Sequence, residues 1–154
     1  MRRVYIHHGG ITYSSTENFY QAMKYDKNDE IFVNLGDKEF TTSVRKYIAS
    51  LSPHEAKAYS RNNEMTNKLF MENRNKMMLY AQREKYKRDD LRQKLILTGD
   101  CHLEEGNWWG DRYWGVDIKT REGENILGRL IMLVRDEIRG FDVPEQVRKE
   151  LNLL

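Results

Sequence analysis

The chain holds a single cysteine, Cys101, so it cannot form an internal disulfide. It has no run near the roughly 20 apolar residues that a bilayer-crossing helix needs. Its first ten residues, MRRVYIHHGG, contain no apolar h-region, and no signal peptide is expected from them. A cytoplasmic compartment and no membrane partner are the resulting expectations. Charge of one sign is also missing. Lys plus Arg number 26 against 24 Asp plus Glu, for a net +2, which does not demand an extended nucleic-acid partner. The sequence has no G-x-G-x-x-G, P-loop or C-x-x-C pattern. Its four histidines have no zinc spacing: His7 and His8 are adjacent, His54 falls at a helix cap, and His102 follows the lone cysteine. That adjacency does not make a Cys-His nucleophile, which needs an orienting group. No metal and no cofactor are expected.

What is present is globular in balance, with 39% hydrophobic and 32% charged residues. The 154 residues suit one domain spanning 1–154 with one core. Nine Tyr, five Phe and three Trp are generous for this size, and aromatic rings exposed in a cleft stack on flat ligands.

The pattern predicts a mainly α fold with a few short strands. Residues 1–13 read as an entry strand or hairpin, from Arg3 to Ile6 and from Ile11 to Tyr13, turning at Gly9-Gly10. A helix is predicted over 17–25, with Ser15 or Thr16 as cap and Phe19, Ala22 and Met23 facing inward. Residues 30–43 are ambiguous between strand and helix, and Thr41–Val44 could open a helix carrying Val44, Tyr47, Ile48 and Leu51. Ser52, Pro53 and Glu55 occupy the N-cap, N1 and N3 places of a capping box. The longest periodic stretch is 64–86, striped by Met65, Leu69, Met77, Tyr80 and Ala81, with Phe70 near its edge. A shorter helix follows from Asp89-Asp90 to Thr98-Gly99. Residues 101–118 read as strands around a shaped turn, because their glycine density does not suit a helix interior. After a polar loop, a helix begins near Gly128 with Leu127, Ile131, Val134 and Ile138 on one side, and Gly140 stops it. Val143, Val147, Leu151 and Leu154 suggest a last short helix after Pro144. The basic segments 83–88 and 45–46 read as a solvated face or a phosphate-contact surface.

Three polar sets stand out. Glu17, Gln21 and Lys24 share one face of the first predicted helix, with Tyr20 beside them. Such a face offers a carboxylate for sugar hydroxyls, an amide and an ammonium, or it is an ordinary polar face near a cap. Glu104, Glu105, Asn107, Trp108, Trp109, Asp111, Arg112 and Trp114 could form a stacking wall with an acidic base, or an aromatic core. Glu124, Asn125, Gly128 and Arg129 surround a helix start, where open N–H groups make an anion site, unless this is a plain cap.

Taken in order, TENFYQAMK at 16–24, WGDRYWG at 109–115 and GENILGRLIM at 123–132 resemble the NADAR family, also called YbiA-like or DUF1768. The resemblance is strongest over residues 9–139. It implies a small α-rich N-glycosidase with a pocket for a ribose phosphate joined to a nitrogenous base. The substrates it implies are ADP-ribosylated guanine in DNA or RNA, or phosphorylated riboflavin-pathway intermediates. By the same resemblance Glu17 and Lys24 match the family's helix glutamate and lysine. Asp111, Trp114 and Gly115 match its acid and Trp-Gly pair, and Asn125, Leu127 and Gly128 its Asn-x-Leu-Gly pattern. The expected catalytic set is Lys24, Glu17, Asp111 and, in reserve, Glu105. Expected to bind substrate are Tyr20, Gln21, Trp109, Arg112, Trp114, Gly115, Asn125, Gly128 and Arg129. One departure stands at the start: family members usually carry an earlier Asn-Phe segment, where this chain has only residues 1–8. Either Val4-Tyr5 does that work or part of the site is missing. The alternative function is therefore a non-catalytic module binding ADP-ribose, NAD or modified nucleic acid; a helical domain without a ligand is a third reading.

Overall fold

A computed structural model describes residues 4–154. Among them the chain forms seven helices and three two-stranded pairings, the mainly α fold with few short strands that the pattern predicts. It divides at Met77/Met78 into two contact units.

The first unit opens with strands β1 (Ile6–His8) and β2 (Ile11–Tyr13), paired antiparallel with Ile6 opposite Tyr13. Arg3, expected to begin the first strand, lies outside the described residues. Gly9 and Gly10 both have positive φ, 57° and 76°, as a two-residue turn matched to strand twist requires. Helix α1 (Thr16–Ala22) follows, with the Ser15 side chain accepting from the Asn18 N–H at 3.0 Å. Phe19, Ala22 and Met23 are buried as predicted. The helix is shorter than expected, and Lys24 sits in the turn beyond it. A neighbouring loop takes the carbonyls that would carry the helix on: Met23 O accepts from Asn67 Nδ2, and Lys24 O from the Thr66 and Asn67 N–H groups.

The ambiguous segment is a hairpin of β3 (Glu30–Leu35) and β4 (Lys38–Ser43), so Thr41 and Thr42 belong to a strand. Ser43 caps α2 (Val44–Ser50), and the predicted box of Ser52 and Glu55 opens α3 (Pro53–Asn62). Asn18 ties α1 to this region: it is wholly buried, and its Nδ2 donates to Ile48 O and Leu51 O, both at 2.9 Å.

Helix α4 (Phe70–Lys85) contains the division between units. It starts six residues later than the periodicity suggests. Met65 and Leu69 are exposed in the preceding loop, while Phe70, at the helix start, is 1% exposed. The loop residues Thr66 and Asn67 bond to the Lys24 carbonyl rather than opening the helix.

In the second unit, α5 (Asp89–Leu97) ends at Thr98 and at Gly99, whose φ is 57°. Strands β5 (Gly106–Asn107) and β6 (Val116–Asp117) make a minimal parallel pair around the predicted shaped turn. Helix α6 (Ile126–Ile138) begins two residues before Gly128 and ends toward Gly140, whose φ is 76°. Its core face is Ile126, Leu130, Leu133 and Val134, so only Val134 of the expected stripe is fully buried. The apolar arc of this helix is broad, running from Leu133 and Ile126 round to Ile138 and Ile131, and the core takes its Leu133–Val134 edge rather than its middle. Arg135 is 5% exposed and donates to Thr98 Oγ1 and Cys101 O. In the tail, α7 (Glu145–Glu150) leads to buried Leu151, but Leu154 is exposed, against the expected stripe. Among the described residues no helix is long and apolar enough to cross a membrane.

Candidate active site

In the first unit, α1 and the turn after it gather Glu17, Tyr20, Gln21 and Lys24. Lys24 Nζ lies 5.4 Å from the centre of the Tyr20 ring and 5.9 Å from that of Phe70. These rings meet edge to face, 5.1 Å apart. Ring faces attract an ammonium, while their bulk strips water from it. Burial holds the Lys24 amine below the ordinary lysine range; Glu17 pulls it back up and Lys57 presses it further down. Gln21 Nε2 donates weakly to Glu17 Oε1 at 3.4 Å. The other end of Gln21 is more telling. The residue is 4% exposed, and its Oε1 is buried with no hydrogen-bond partner among the described residues. A buried acceptor left unmet is costly, and a donor from a bound molecule would satisfy it.

In the second unit, the Trp-rich turn is held by Asn107 and Asp111. Asn107 is 2% exposed; its Nδ2 donates to Asp111 O at 2.7 Å, and its Oδ1 accepts from the Asp111 N–H at 2.9 Å. Asp111 Oδ1 accepts the N–H groups of Tyr113 and Trp114, both at 3.0 Å. One carboxylate oxygen of Asp111 thus shapes the loop that carries Trp114 and Gly115. Gly115 is needed for close backbone approach, since a Cβ there would stand 2.2 Å from Glu105 O. Trp108 and Trp109 are 66% and 73% exposed, whereas Trp114 is half-buried with its ring edge-to-face on Tyr113. Arg112 lies 3.4 Å from Glu122 and 4.0 Å from Asp117.

The third set differs from its expectation. The amides of Asn125, Ile126 and Leu127 are not open to an anion, because they donate to Gly115 O, Tyr113 O and Trp114 O. Asn125 has a left-handed backbone, φ 54°; its Oδ1 accepts from the Glu105 N–H at 2.9 Å and its Nδ2 donates to Leu103 O at 2.8 Å. A Cβ at Gly128 would meet Asn125 Oδ1 at 2.4 Å and Leu103 O at 2.5 Å. Asn125 and Gly128 therefore clamp the 103–105 segment onto α6. Arg129 pairs with Glu150 at 3.0 Å.

The three ordered motifs lie within the span of a known family. The model of the NADAR domain matches residues 2–139. The chain belongs to the NADAR family. It is also 30% identical, over 131 residues and 84% of its length, to a riboflavin biosynthesis protein of Vibrio vulnificus. It spans only 32% of that relative's length. Among solved structures it is similar to the NMR structure of the E. coli protein YbiA, with a TM-score of 0.68 and 27% identity over 88% of this chain and 73% of that one.

This NADAR chain also uses residues that the sequence reading passed over. Asn18 lies inside the first motif but was overshadowed by its charged neighbours. Lys85 sits in the basic run 83–88, read as a solvated face or a phosphate-contact surface; it is half-buried, with Nζ 5.4 Å from the Tyr86 ring centre. The only signal in the sequence is a lysine followed by a tyrosine, and a run of charges hides it. Among the described residues no group of three or more His, Cys, Asp or Glu is placed to hold a metal ion.

Proposed function

We propose that this chain is an N-glycosidase that hydrolyses the bond between a ribosyl phosphate or ADP-ribosyl group and a nitrogenous base or amine. The observation that carries the reading is the α1 cluster: a half-buried lysine, a carboxylate and an unmet buried amide oxygen within two helical turns. As the glycosidic bond breaks, positive charge develops at C1 and the ring oxygen, and a carboxylate stabilises it. Glu17 holds the ribose hydroxyls, one of which can donate to Gln21 Oε1. Lys24 acts as a cation on phosphate or hydroxyl, or as an uncharged amine on a ring-opened sugar aldehyde. Burial favours the second role, since it raises the uncharged share of the amine. Asp111 supports the oxocarbenium-like state or directs water with the oxygen not engaged by the loop amides. Glu105 is the reserve base. Trp109 or Trp114 stacks on the base, and Arg112 or Arg129 meets phosphate by exchanging its present carboxylate partners.

Of the two substrate classes, the Vibrio relative named for riboflavin biosynthesis favours the phosphoribosylamino-pyrimidine. The test presents the purified chain and its Lys24→Ala variant with that intermediate and, separately, with a guanosine-ADP-ribosylated oligonucleotide. Products are read by mass spectrometry. Release of ribose 5-phosphate from the first, lost in the variant, is expected. Release of ADP-ribose from the second instead would move the chain to nucleic-acid repair. No release from either, by folded protein, would replace the enzyme with a binding module.

A further inference from the structure

The hairpin of β3 and β4 leaves a strand edge open. Among the described residues β3 pairs with β4 alone. The register runs from Leu35 opposite Lys38 to Glu30 opposite Ser43, and one step further on the Val44 N–H donates to Asp29 O at 2.9 Å. That bond fixes the alternation of the ladder. Asp29, Ile31, Val33 and Leu35 turn their backbone groups toward β4; Glu30, Phe32 and Asn34 turn theirs away. No backbone bond from another described segment reaches that outer side. Phe32 on it is 61% exposed, and Leu35 and Phe40 are exposed as well. Exposed edges are commonly blunted by a lysine, a proline or a bulge, and β3, EIFVNL in unbroken register, has none of these. We propose that a second copy of this chain pairs its β3 with this one, antiparallel about a two-fold axis at Phe32, so that two hairpins join into one sheet.

A two-fold axis requires the strand to complement itself, and β3 does so in this register. Phe32 faces the partner's Phe32. Ile31 faces the partner's Val33, and Glu30 faces the partner's Asn34. Glu30, Phe32 and Asn34 are the residues with outward backbone groups, so each of these facing pairs exchanges both of its N–H···O bonds. An aromatic pair at the axis and β-branched pairs on either side of it are favourable across strands. No like charges meet, because each Glu30 stands opposite an amide. Neighbouring registers are poorer. Moving the axis to Glu30 sets two carboxylates face to face, and moving it to Asn34 sets Phe32 against Gly36 in the turn. The other edge is poorer too: β4 turns Glu39, Thr41 and Ser43 outward, and the Ser43 side chain already caps α2. The edge is short, so the dimer belongs to the weak, concentration-dependent class. It uses no residue of the candidate site and stands apart from the glycosidase reading.

Sedimentation velocity of the full chain, from about 1 µM to 1 mM, reads the association over the range of weak protein contacts. Monomer giving way to dimer as concentration rises is the expected result. Phe32→Lys sets two ammonium groups at the axis and should leave monomer throughout. Its melting temperature should hold, because Phe32 is exposed. Asn34→Glu sets a carboxylate against the partner's Glu30, twice in each dimer, and should loosen the dimer by about fivefold. Adding Glu30→Lys to Asn34→Glu makes those pairs opposite in charge and should restore it, although Glu39 within the hairpin is untouched. Monomer at every concentration would overturn the proposal and leave the edge unpaired. A dimer that survives Phe32→Lys, or one that the paired charge change fails to restore, would overturn it as well, by moving the interface elsewhere.

Discussion

Lys24 and Lys85 keep similar company in different settings. Each is a half-buried lysine beside a tyrosine ring, and the charge of a glutamate acts on each. In the first unit the lysine lies near two rings, and its glutamate comes from the same short helix. In the second the lysine stands over one ring on a pocket wall, and its glutamate arrives from a loop held by Asn125. The chemistry available to a lysine thus depends less on its local sequence than on what dehydrates it and how its carboxylate is delivered. The α1 arrangement can be read almost entirely from i, i+3 and i, i+4 spacing. The Lys85 arrangement joins residues twenty positions apart, which no periodicity reports.

The largest effect should come from removing the first lysine. Lys24→Ala is expected to lower glycosidase turnover by at least about a hundredfold, the lower end for a positioned acid-base or nucleophilic group. Circular dichroism should show the fold retained. Turnover within a few-fold of wild type would end the comparison by removing Lys24 from the chemistry.

The glutamate of the second cluster depends on tight backbone approach, and that can be broken next. Gly128→Ala places a Cβ against Asn125 and the Leu103 carbonyl, at a cost of about 3 kcal/mol or more if the segment cannot shift. Its melting temperature should fall. In the first unit the matching anchor is Asn18. Asn18→Ala leaves the Leu51 carbonyl without its amide donor and Ile48 O with only the Leu51 N–H, and should cost about 1–3 kcal/mol by urea denaturation. A loss under about 0.5 kcal/mol would mean water replaces the amide there.

A smaller change tests whether the first unit's scaffold is as local as it looks. Ser52→Ala removes one half of the α3 capping box and should cost about 1 kcal/mol. The smallest effect is on pH. Both lysines are held below their ordinary range in the folded chain, so between the folded and unfolded values the unfolded chain binds more protons. Stability from these groups is therefore lowest where both states are protonated and rises as pH climbs through the folded values toward the ordinary lysine range. Lys24→Met and Lys85→Met should each flatten that rise in urea midpoints. Two equal flattenings would make the clusters alike; a larger one at either position would tell which burial is deeper.

Much of this molecule follows from local rules in its sequence. Gly9-Gly10 dictates the first turn because two positive φ angles are cheapest without a Cβ. Ser52, Pro53 and Glu55 dictate a helix start because they satisfy or remove orphan amides. Glu17, Gln21 and Lys24 are placed together by helical spacing, and three ordered motifs carry the family. Other features were settled only by contacts between distant segments. The loop at Thr66-Asn67 claims the carbonyls of Met23 and Lys24, ending α1 early and starting α4 late. Which edge of the broad apolar arc of α6 is core is visible only in the structure, where Ile126, Leu130 and Leu133 are buried on the helix that Asn125 and Gly128 join to residues 103–105. The carbonyls of Tyr113, Trp114 and Gly115 close the helix-start amides that the sequence offers as an anion site. Backbone groups bond to whichever partner the tertiary structure brings within reach, and sequence spacing names that partner only when it lies within a turn or two.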